Sequence, residues 1–499
     1  MQVIELMIIK TRTLIVILLL MFLCLTRFWN IGFPPKVVFD EAHFGLYASK
    51  YLSHGYYFDI HPPLGKLFFA LVAKISNFGS GFNFAEGANY GNLDYIPLRV
   101  FNALIGILLV FVIYFLTREI GFSKRVAFIA CFLVALDNAL ILESRLVLIN
   151  NLLLFSIFLS VYLFIKSRNN CKNIRKWLIY IFLTSICLGI AISIKWTGFG
   201  LFLLFIPLTI IFKELSIRQK IVQIITLLLI GIFVYLFSFY VHFKLSYVSC
   251  SENCGWALDY YRSKCPSCDF FTEPPEYDSF IAKFISIQRW MLWGNGLDGK
   301  WGNYPYESKW TGWPLVNRPV LYYPENGEMN KIISTQPNTR ISYLYLIGNP
   351  LNWWLGFVAV IVAFLYCLWR RITNKNVIDI DGQGLAIVVL GFFCFWLPFV
   401  IVERYLLIYL YFPSLVFSII CLAIISDALI RKFCREKRND NILYQSKRAN
   451  ILMFSILLVT VILFLFFSPL TYGFPLSQGE FDSRMWGGDM WRPVIELRQ

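Results

Sequence analysis

The run LRVFNALIGILLVFVIYFLT, residues 98–117, carries a single charge, Arg99, near its start and is almost wholly apolar until Arg118 closes it. At about 1.5 Å of rise per residue, twenty residues make about 30 Å of helix, the thickness of a bilayer's hydrocarbon core. Ten more stretches of this kind lie near 13–29, 125–142, 147–165, 177–194, 197–212, 221–242, 345–369, 384–402, 405–426 and 450–468. Together they predict an all-α polytopic membrane protein of about eleven transmembrane helices, with its termini on opposite faces.

Composition points the same way. Of 499 residues, 58% are hydrophobic and 15% charged, against about 45–50% and about 25% in soluble globular domains. The 48 Phe, 27 Tyr and 15 Trp exceed what a soluble core would bury, so disorder and a single soluble fold are excluded. A net charge of +15 would suggest nucleic acid in a soluble chain, but here the basic residues lie between apolar runs. They fall at Arg118, Lys124 and Arg125; from Lys166 to Lys176; at Lys213, Arg218 and Lys220; at Arg370, Arg371 and Lys375; and from Arg431 to Arg448. A cytoplasmic N-terminus puts every one of these clusters inside, where positive loops are retained during insertion, and leaves the C-terminus outside. Topology therefore explains the charge, and no nucleic-acid partner is implied. Lys10 and Arg12 fit this orientation, and with no small-residue cleavage pattern behind it the first run reads as a retained signal anchor.

The chain then divides into an N-terminal transmembrane catalytic region, 1–245, with its first outer loop at 30–97; a Cys- and Trp-rich outer loop, 246–344; and a C-terminal transmembrane region with an outer tail, 345–499. A transporter of repeated halves would place polar groups at the midplane. No internal repeat is apparent, and the polar residues gather in the outer loops and at the outer ends of spans, which suits an enzyme site at the membrane surface.

The first outer loop contains FDEAHF at 39–44 and DIHPPLGK at 59–66. Phe44, Tyr47, Ala48, Tyr51 and Leu52 follow helical spacing and predict a helix opening at Asp40. Leu64, Leu67, Phe68, Leu71, Val72 and Ile75 predict a second helix lying in the interface, with Lys66 and Lys74 off its apolar stripe. Asp40 and Glu41 thus sit at the depth of a lipid-linked phosphate, one suited to be a general base and the other to orient it, although an aspartate at a helix start also serves as a cap. Arg99, Arg145, Lys195 and Arg404 all fall at the outer ends of spans. A phosphate is a natural partner for such cations, and snorkelling to headgroups is the alternative.

These segments resemble the protein O-mannosyltransferases, glycosyltransferase family 39, integral membrane proteins of the GT-C fold. The matching stretches are FDEAHFGLYASKYL at 39–52, FDIHPPLGKL at 58–67, PLRVFNALIG at 97–106, ALDNALILESRLVLIN at 135–150, SIKWTGF at 193–199, WPLVNRPVLYY at 313–323, GNPLNWWLG at 348–356 and ERYLLIYLYFPSL at 403–415, in family order. The resemblance implies transfer of mannose from a dolichyl-type polyprenyl phosphate to Ser or Thr of secreted or membrane proteins, with inversion and no required cofactor or metal. It makes Asp40 the catalytic base and Glu41 its acidic neighbour. Arg99 matches the family's arginine at the start of the second span, and His61, Lys195 and Arg404 fall on motif positions. With Arg145 these form the expected donor-phosphate and substrate-binding set.

Departures accompany the match. Asn150, Tyr304 and Leu410 stand where the family often has an aspartate and two histidines, each replacing an ionisable group and bearing on acceptor and donor choice. The outer loop of about 100 residues is too short for the β-trefoil MIR domain of eukaryotic members, which favours a compact plasma-membrane form over an ER one. Cys250, Cys254, Cys265 and Cys268 have a spacing that suits two disulfides or a structural zinc. Trp290, Trp293, Trp301, Trp310 and Trp313 form an interfacial belt or a sugar- and peptide-binding wall. Two rival functions remain: a transferase using another sugar or a lipid or glycan acceptor, and a polyprenyl-lipid flippase, which needs no base. Whether the chain works alone or as a dimer is open.

Overall fold

The computed structural model describes residues 19–82, 84–249, 279–296, 305–325, 339–374, 380–433, 435–437, 443–445 and 447–492. Lys10, Arg12, Trp301, Tyr304 and the four outer-loop cysteines, Cys250, Cys254, Cys265 and Cys268, lie outside these residues. In chain order the helices are α1 (Leu19–Phe28), α2 (Glu41–Leu52), α3 (Leu64–Ile75), α4 (Ile96–Ile120), α5 (Lys124–Ala135), α6 (Asn138–Ser144), α7 (Asn150–Asn169) and α8 (Ile174–Ile194). They continue with α9 (Gly200–Ile211), α10 (Ile217–Leu245), α11 (Phe280–Gly294), α12 (Gly356–Thr373), α13 (Gly382–Trp396), α14 (Phe412–Phe433) and α15 (Lys447–Tyr472).

Among the described residues each predicted apolar stretch overlaps helix, the third as the bent pair α5 and α6. Among the described residues, eight helical segments are long and apolar enough to cross a membrane, or nine if the bent pair α5 and α6 is one span. The Leu19–Phe28 and Trp196–Ile211 helices are shorter. The ends follow local chemistry. Pro97 opens α4, and Gly121 closes it at φ 118°, a left-handed conformation that glycine adopts readily. A capping box of Ser216 and Gln219 starts α10.

Burial sorts the helices into core and lipid-facing sets. The apolar window of α14 is 94% buried, whereas those of α10 and α15 are 28% and 22% buried. Helices α4, α7, α8 and α10 pack in succession, while α5, α12 and α13 surround α14.

Span three breaks where Asp137 interrupts it, and α5 and α6 meet at 64°. The Asp137 carboxylate accepts hydrogen bonds from Ala139 N (3.2 Å) and Leu140 N (3.3 Å), capping α6. It also accepts from Asn349 N (3.3 Å), Asn352 Nδ2 (3.1 Å) and Trp353 Nε1 (3.2 Å), in the segment that leads into α12. A buried carboxylate is tolerable only when donors converge on it in this way.

The first outer loop folds as predicted into α2 and α3, with one refinement. The stripe Leu64, Leu67, Phe68, Leu71, Val72 and Ile75 is half-buried to exposed, while Gly65, Lys66, Phe69, Ala70 and Ala73 face the protein. The apolar stripe therefore points outward, as an interfacial helix requires. A Cβ on Gly65 would lie 3.0 Å from Ile149 Cγ2, so glycine lets α3 approach the bundle closely.

The expected all-helical architecture gains a small outer hairpin. Strands β1 (Val320–Pro324) and β2 (Tyr343–Leu346) pair antiparallel and are fully buried.

Candidate active site

Asp40 occupies the turn that opens α2 but does not cap it. Its backbone is helical (φ −64°) and its side chain makes no capping bond. The carboxylate, 19% exposed, instead faces a cavity of about 490 Å³ that His43, Asp59, His61, Glu86, Arg404 and Tyr409 also line. His43 Nε2 lies 3.9 Å from Asp40 Oδ1.

Burial raises the Asp40 carboxyl to about 7. Lys195 opposes the shift, while Glu143, Glu86 and Asp59 add to it. Burial also takes His43 down to about 3, so its imidazole is neutral beside the carboxylate. A base with a pKa close to the working pH combines a usable ionised fraction with a strong pull on a proton.

Glu41 points away from this cavity. Its carboxylate accepts from Arg99 Nε (2.9 Å) and Nη2 (2.7 Å), Val147 N (2.9 Å), Val38 N (3.1 Å) and the Tyr90 hydroxyl (3.3 Å). Neither Glu41 nor Arg99 has any exposed side-chain surface. The other Arg99 donors go to Ile31 O (3.2 Å), Pro34 O (3.0 Å) and Lys36 O (3.2 Å), and the Tyr95 ring lies 4.7 Å from the guanidinium.

Arg99 is therefore committed to holding the loop and does not line the Asp40 cavity. Arg145 has a similar fate. It donates to Arg27 O, Trp29 O and Asn30 O at 2.8–3.1 Å and lies 4.7 Å from the Tyr472 ring, tying the end of α1 to α6. Of the five cations and imidazoles expected together, the structure brings together His61, Lys195 and Arg404 and sets Arg99 and Arg145 apart. The physical reason is supply: backbone carbonyls at the loop's turns already satisfy both guanidinium groups.

A second, mostly apolar groove of about 430 Å³ runs between the Trp196–Ile211 segment and the end of span nine, where Phe199, Leu203, Pro398, Phe399 and Ile401 line it. It meets the Asp40 cavity at Ile60, His61 and Arg404, and Lys195 also faces it. Leu203 and Ile401 are 52% and 70% exposed on the side where a bilayer's acyl chains would lie. Burial and the Lys195 and Arg404 charges hold His61 well below the usual imidazole range, so it enters the site as a neutral hydrogen-bonding group.

Lys195 is fixed by a polar chain that the sequence reading did not assign. Its Nζ donates to Asn150 Oδ1 (2.6 Å), Asn150 Nδ2 donates to Glu143 Oε1 (2.6 Å), and the Tyr322 hydroxyl donates to Glu143 Oε2 (2.9 Å). The Tyr409 ring lies 4.9 Å from the ammonium. One signal for Glu143 was present, since an acid next to an apolar run is costly unless it has a function or partners. Asn150 stood out only as a departure from a pattern, and nothing in the sequence places Tyr322 beside either residue. Asp59 is held by Lys66 at 2.5 Å. Among the described residues, no group of three or more His, Cys, Asp or Glu side chains could hold a metal ion.

Comparison with known proteins adds independent findings. A family model described as dolichyl-phosphate-mannose-protein mannosyltransferase matches residues 17–247. A second, for the C-terminal four TMM region of protein-O-mannosyltransferase, matches residues 280–491. The dolichyl-phosphate-mannose--protein mannosyltransferase 2 of Candida albicans is 31% identical over 299 residues, covering 57% of this chain and 39% of that protein. The corresponding protein 4 of Schizosaccharomyces pombe is 38% identical over 184 residues, covering 36% of this chain and 24% of that protein. The chain thus spans 39% or less of the length of these two relatives.

In structure, it resembles a chain of the S. cerevisiae protein O-mannosyltransferase Pmt1-Pmt2 complex bound to the sugar donor. The TM-score is 0.77 at 20% identity, over 95% of this chain and 92% of that one. ArnT from Cupriavidus metallidurans bound to undecaprenyl phosphate gives a TM-score of 0.53 at 12% identity, over 93% of this chain and 77% of that one. The shared architecture is the GT-C fold of multi-pass membrane glycosyltransferases.

Proposed function

The chain belongs to the protein O-mannosyltransferase family, and on that premise we propose that it transfers mannose from a polyprenyl phosphate to Ser or Thr hydroxyls of secreted or membrane proteins. The observation that carries this reading is the junction of the two cavities: a desolvated carboxylate, Asp40, on one side, an apolar groove on the other, and His61 and Arg404 at the seam.

The polyprenyl chain lies in the groove and its phosphate meets Arg404 and Lys195, which leaves the sugar's anomeric carbon facing Asp40. The acceptor hydroxyl enters from the Asp40 cavity. Its oxygen forms the new bond to the anomeric carbon and its proton passes to the Asp40 carboxylate. The bond from carbon to phosphate oxygen breaks, and its electron pair leaves with the polyprenyl phosphate. One displacement from the face opposite the leaving group inverts the centre and needs no covalent sugar intermediate. Lys195 and Arg404 stabilise charge where it grows, on the departing phosphate, and the route assigns that work to them instead of to a metal or cofactor. Glu41 and Arg99 hold the loop that presents Asp40, and Arg145 anchors α1 to α6.

The basic inner loops orient the N-terminus to the cytoplasm and open the Asp40 cavity outward. The fungal relatives support an endoplasmic reticulum membrane if the chain is eukaryotic, and they lend no support to the plasma membrane. The likeness to a chain of a two-protein complex supports work as a dimer.

The test is sugar transfer in reconstituted protein, with radiolabelled polyprenyl-phosphate-mannose, secreted-protein acceptors and Asp40→Asn in parallel. Label is expected on Ser or Thr, with kcat in the variant lower by about 10²- to 10⁴-fold and the protein still folded. Label on lipid or glycan would overturn the acceptor assignment, and donor turnover unaffected by Asp40→Asn would overturn the base.

A further inference from the structure

Phe39, the residue before Asp40, has a left-handed backbone at φ 47°. A bulky aromatic side chain rarely adopts this conformation, and it persists only where the surroundings impose it. Those surroundings are aromatic. The Tyr322 ring stacks on Phe39 at 4.3 Å between centroids and 10° between planes, and the Tyr409 ring meets Phe39 edge-on at 6.4 Å. Tyr322 is 1% exposed and stands on the outer strand β1, far along the chain from loop one. Its hydroxyl, at the other end of the same rigid side chain, donates to Glu143 and so meets the chain that ends at Lys195.

We infer that Tyr322 is a positioning residue: its ring clamps Phe39 and thereby the backbone that aims Asp40 into the cavity, while its hydroxyl keys that clamp to the Glu143–Asn150–Lys195 chain. The outer hairpin is then part of the catalytic apparatus and not a cover over it. Phe39 itself lines the cavity, so the clamp bears on the burial that raises the Asp40 carboxyl. The charged and titratable groups facing Asp40 are His43 on α2, Asp59, His61 and Glu86 in loop one, Glu143 on α6, Lys195 after α8, Arg404, Tyr405 and Tyr409, and Tyr322 itself on β1. Of these, Glu143 accepts the Tyr322 hydrogen bond, which Tyr322→Phe and Tyr322→Leu lose alike, so a shift in Asp40 titration seen with Tyr322→Leu and not with Tyr322→Phe reports the clamp. The inference rests on the proposed role of Asp40 as base, but one of its readouts does not require activity.

Two variants separate ring from hydroxyl. Tyr322→Phe keeps the stack and loses the Glu143 hydrogen bond, whereas Tyr322→Leu loses both. The first readout is the pH profile of kcat/KM. In Tyr322→Leu its acidic limb should move down by about one pH unit or more, with kcat lower by about tenfold or more. In Tyr322→Phe the limb should stay in place.

The second readout is the gap in thermal midpoint between each protein and its Asp40→Asn counterpart, followed from pH 4 to pH 8. That gap widens through about pH 7 where Asp40 is desolvated, and it should narrow in the Tyr322→Leu background whatever the reaction catalysed. Phe39→Gly removes the stacked ring from the other side while accepting the left-handed backbone, so it should reproduce the Leu result and stands in if Tyr322→Leu does not fold. An unmoved midpoint gap in Phe39→Gly, or a Tyr322→Phe shift as large as that of Tyr322→Leu, overturns the inference. If wild-type protein transfers no sugar while the gap still narrows, the proposed function fails and the clamp stands.

Discussion

Replacing Arg99 by methionine asks whether its charge serves the loop or a donor phosphate. In the structure the substitution deletes the bidentate contact, two of the hydrogen bonds to Glu41, and leaves that carboxylate with Val38 N, Val147 N and the Tyr90 hydroxyl but no counter-charge. It also frees the carbonyls of Ile31, Pro34 and Lys36. Removing one partner of a buried ion pair costs about 3–5 kcal/mol. Because three carbonyls lose a partner as well, each bond worth about 1 kcal/mol net, Arg99→Met belongs at the upper end, about 5 kcal/mol. Adding Glu41→Gln removes the orphaned charge while keeping an acceptor, and should return about 2 kcal/mol through coupling of the pair. The assay is the thermal midpoint in detergent for wild type, both single variants and the double, with donor KM measured on whatever remains folded. A folded Arg99→Met protein with a wild-type midpoint and a raised donor KM would refute the structural role and return Arg99 to the phosphate.

Three further outcomes follow from the site. As the proposed base, Asp40 works only when ionised, and its pKa is raised to about 7, so kcat/KM should climb with pH through about 7 and level off above it. Stability runs the opposite way: between the ordinary value of 3.8 and about 7 the folded protein holds a proton that the unfolded chain releases. Wild type therefore loses stability as pH rises through that window, and Asp40→Asn does not. In the groove, Leu203→Trp should raise KM for a long-chain donor by about tenfold while leaving a short-chain analogue nearly unaffected; equal effects on both would place the chain elsewhere.

The apolar runs and the start of α2 were legible because they depend on local pattern and length. The bend in span three was not, since residues 125–142 read as one apolar run and periodicity is blind to a carboxylate that draws its donors from residues 349–353. The site divides along the same line. Asp40, Lys195 and Arg404 could be chosen by residue type and depth and His61 by its place in a matching motif, and they do converge. Arg99 and Arg145 have the same type and depth, but backbone carbonyls consume them, and carbonyls leave no trace in a sequence. Tyr322 was hidden for a related reason, because a buried tyrosine acquires meaning only from what a hairpin brings against it.

The Asp137 carboxylate has a consequence for how the protein is put together. Three of its five donors come from residues 349–353 and two from its own helix, so one side chain latches the amino-terminal half to the carboxy-terminal half. Each half lines the joined cavities: Asp40, His61 and Lys195 from the first, Arg404 and Tyr409 from the second. Their mutual registration is set by this latch and the helix packing around it. Altering Asp137 is then a change of alignment between the two halves.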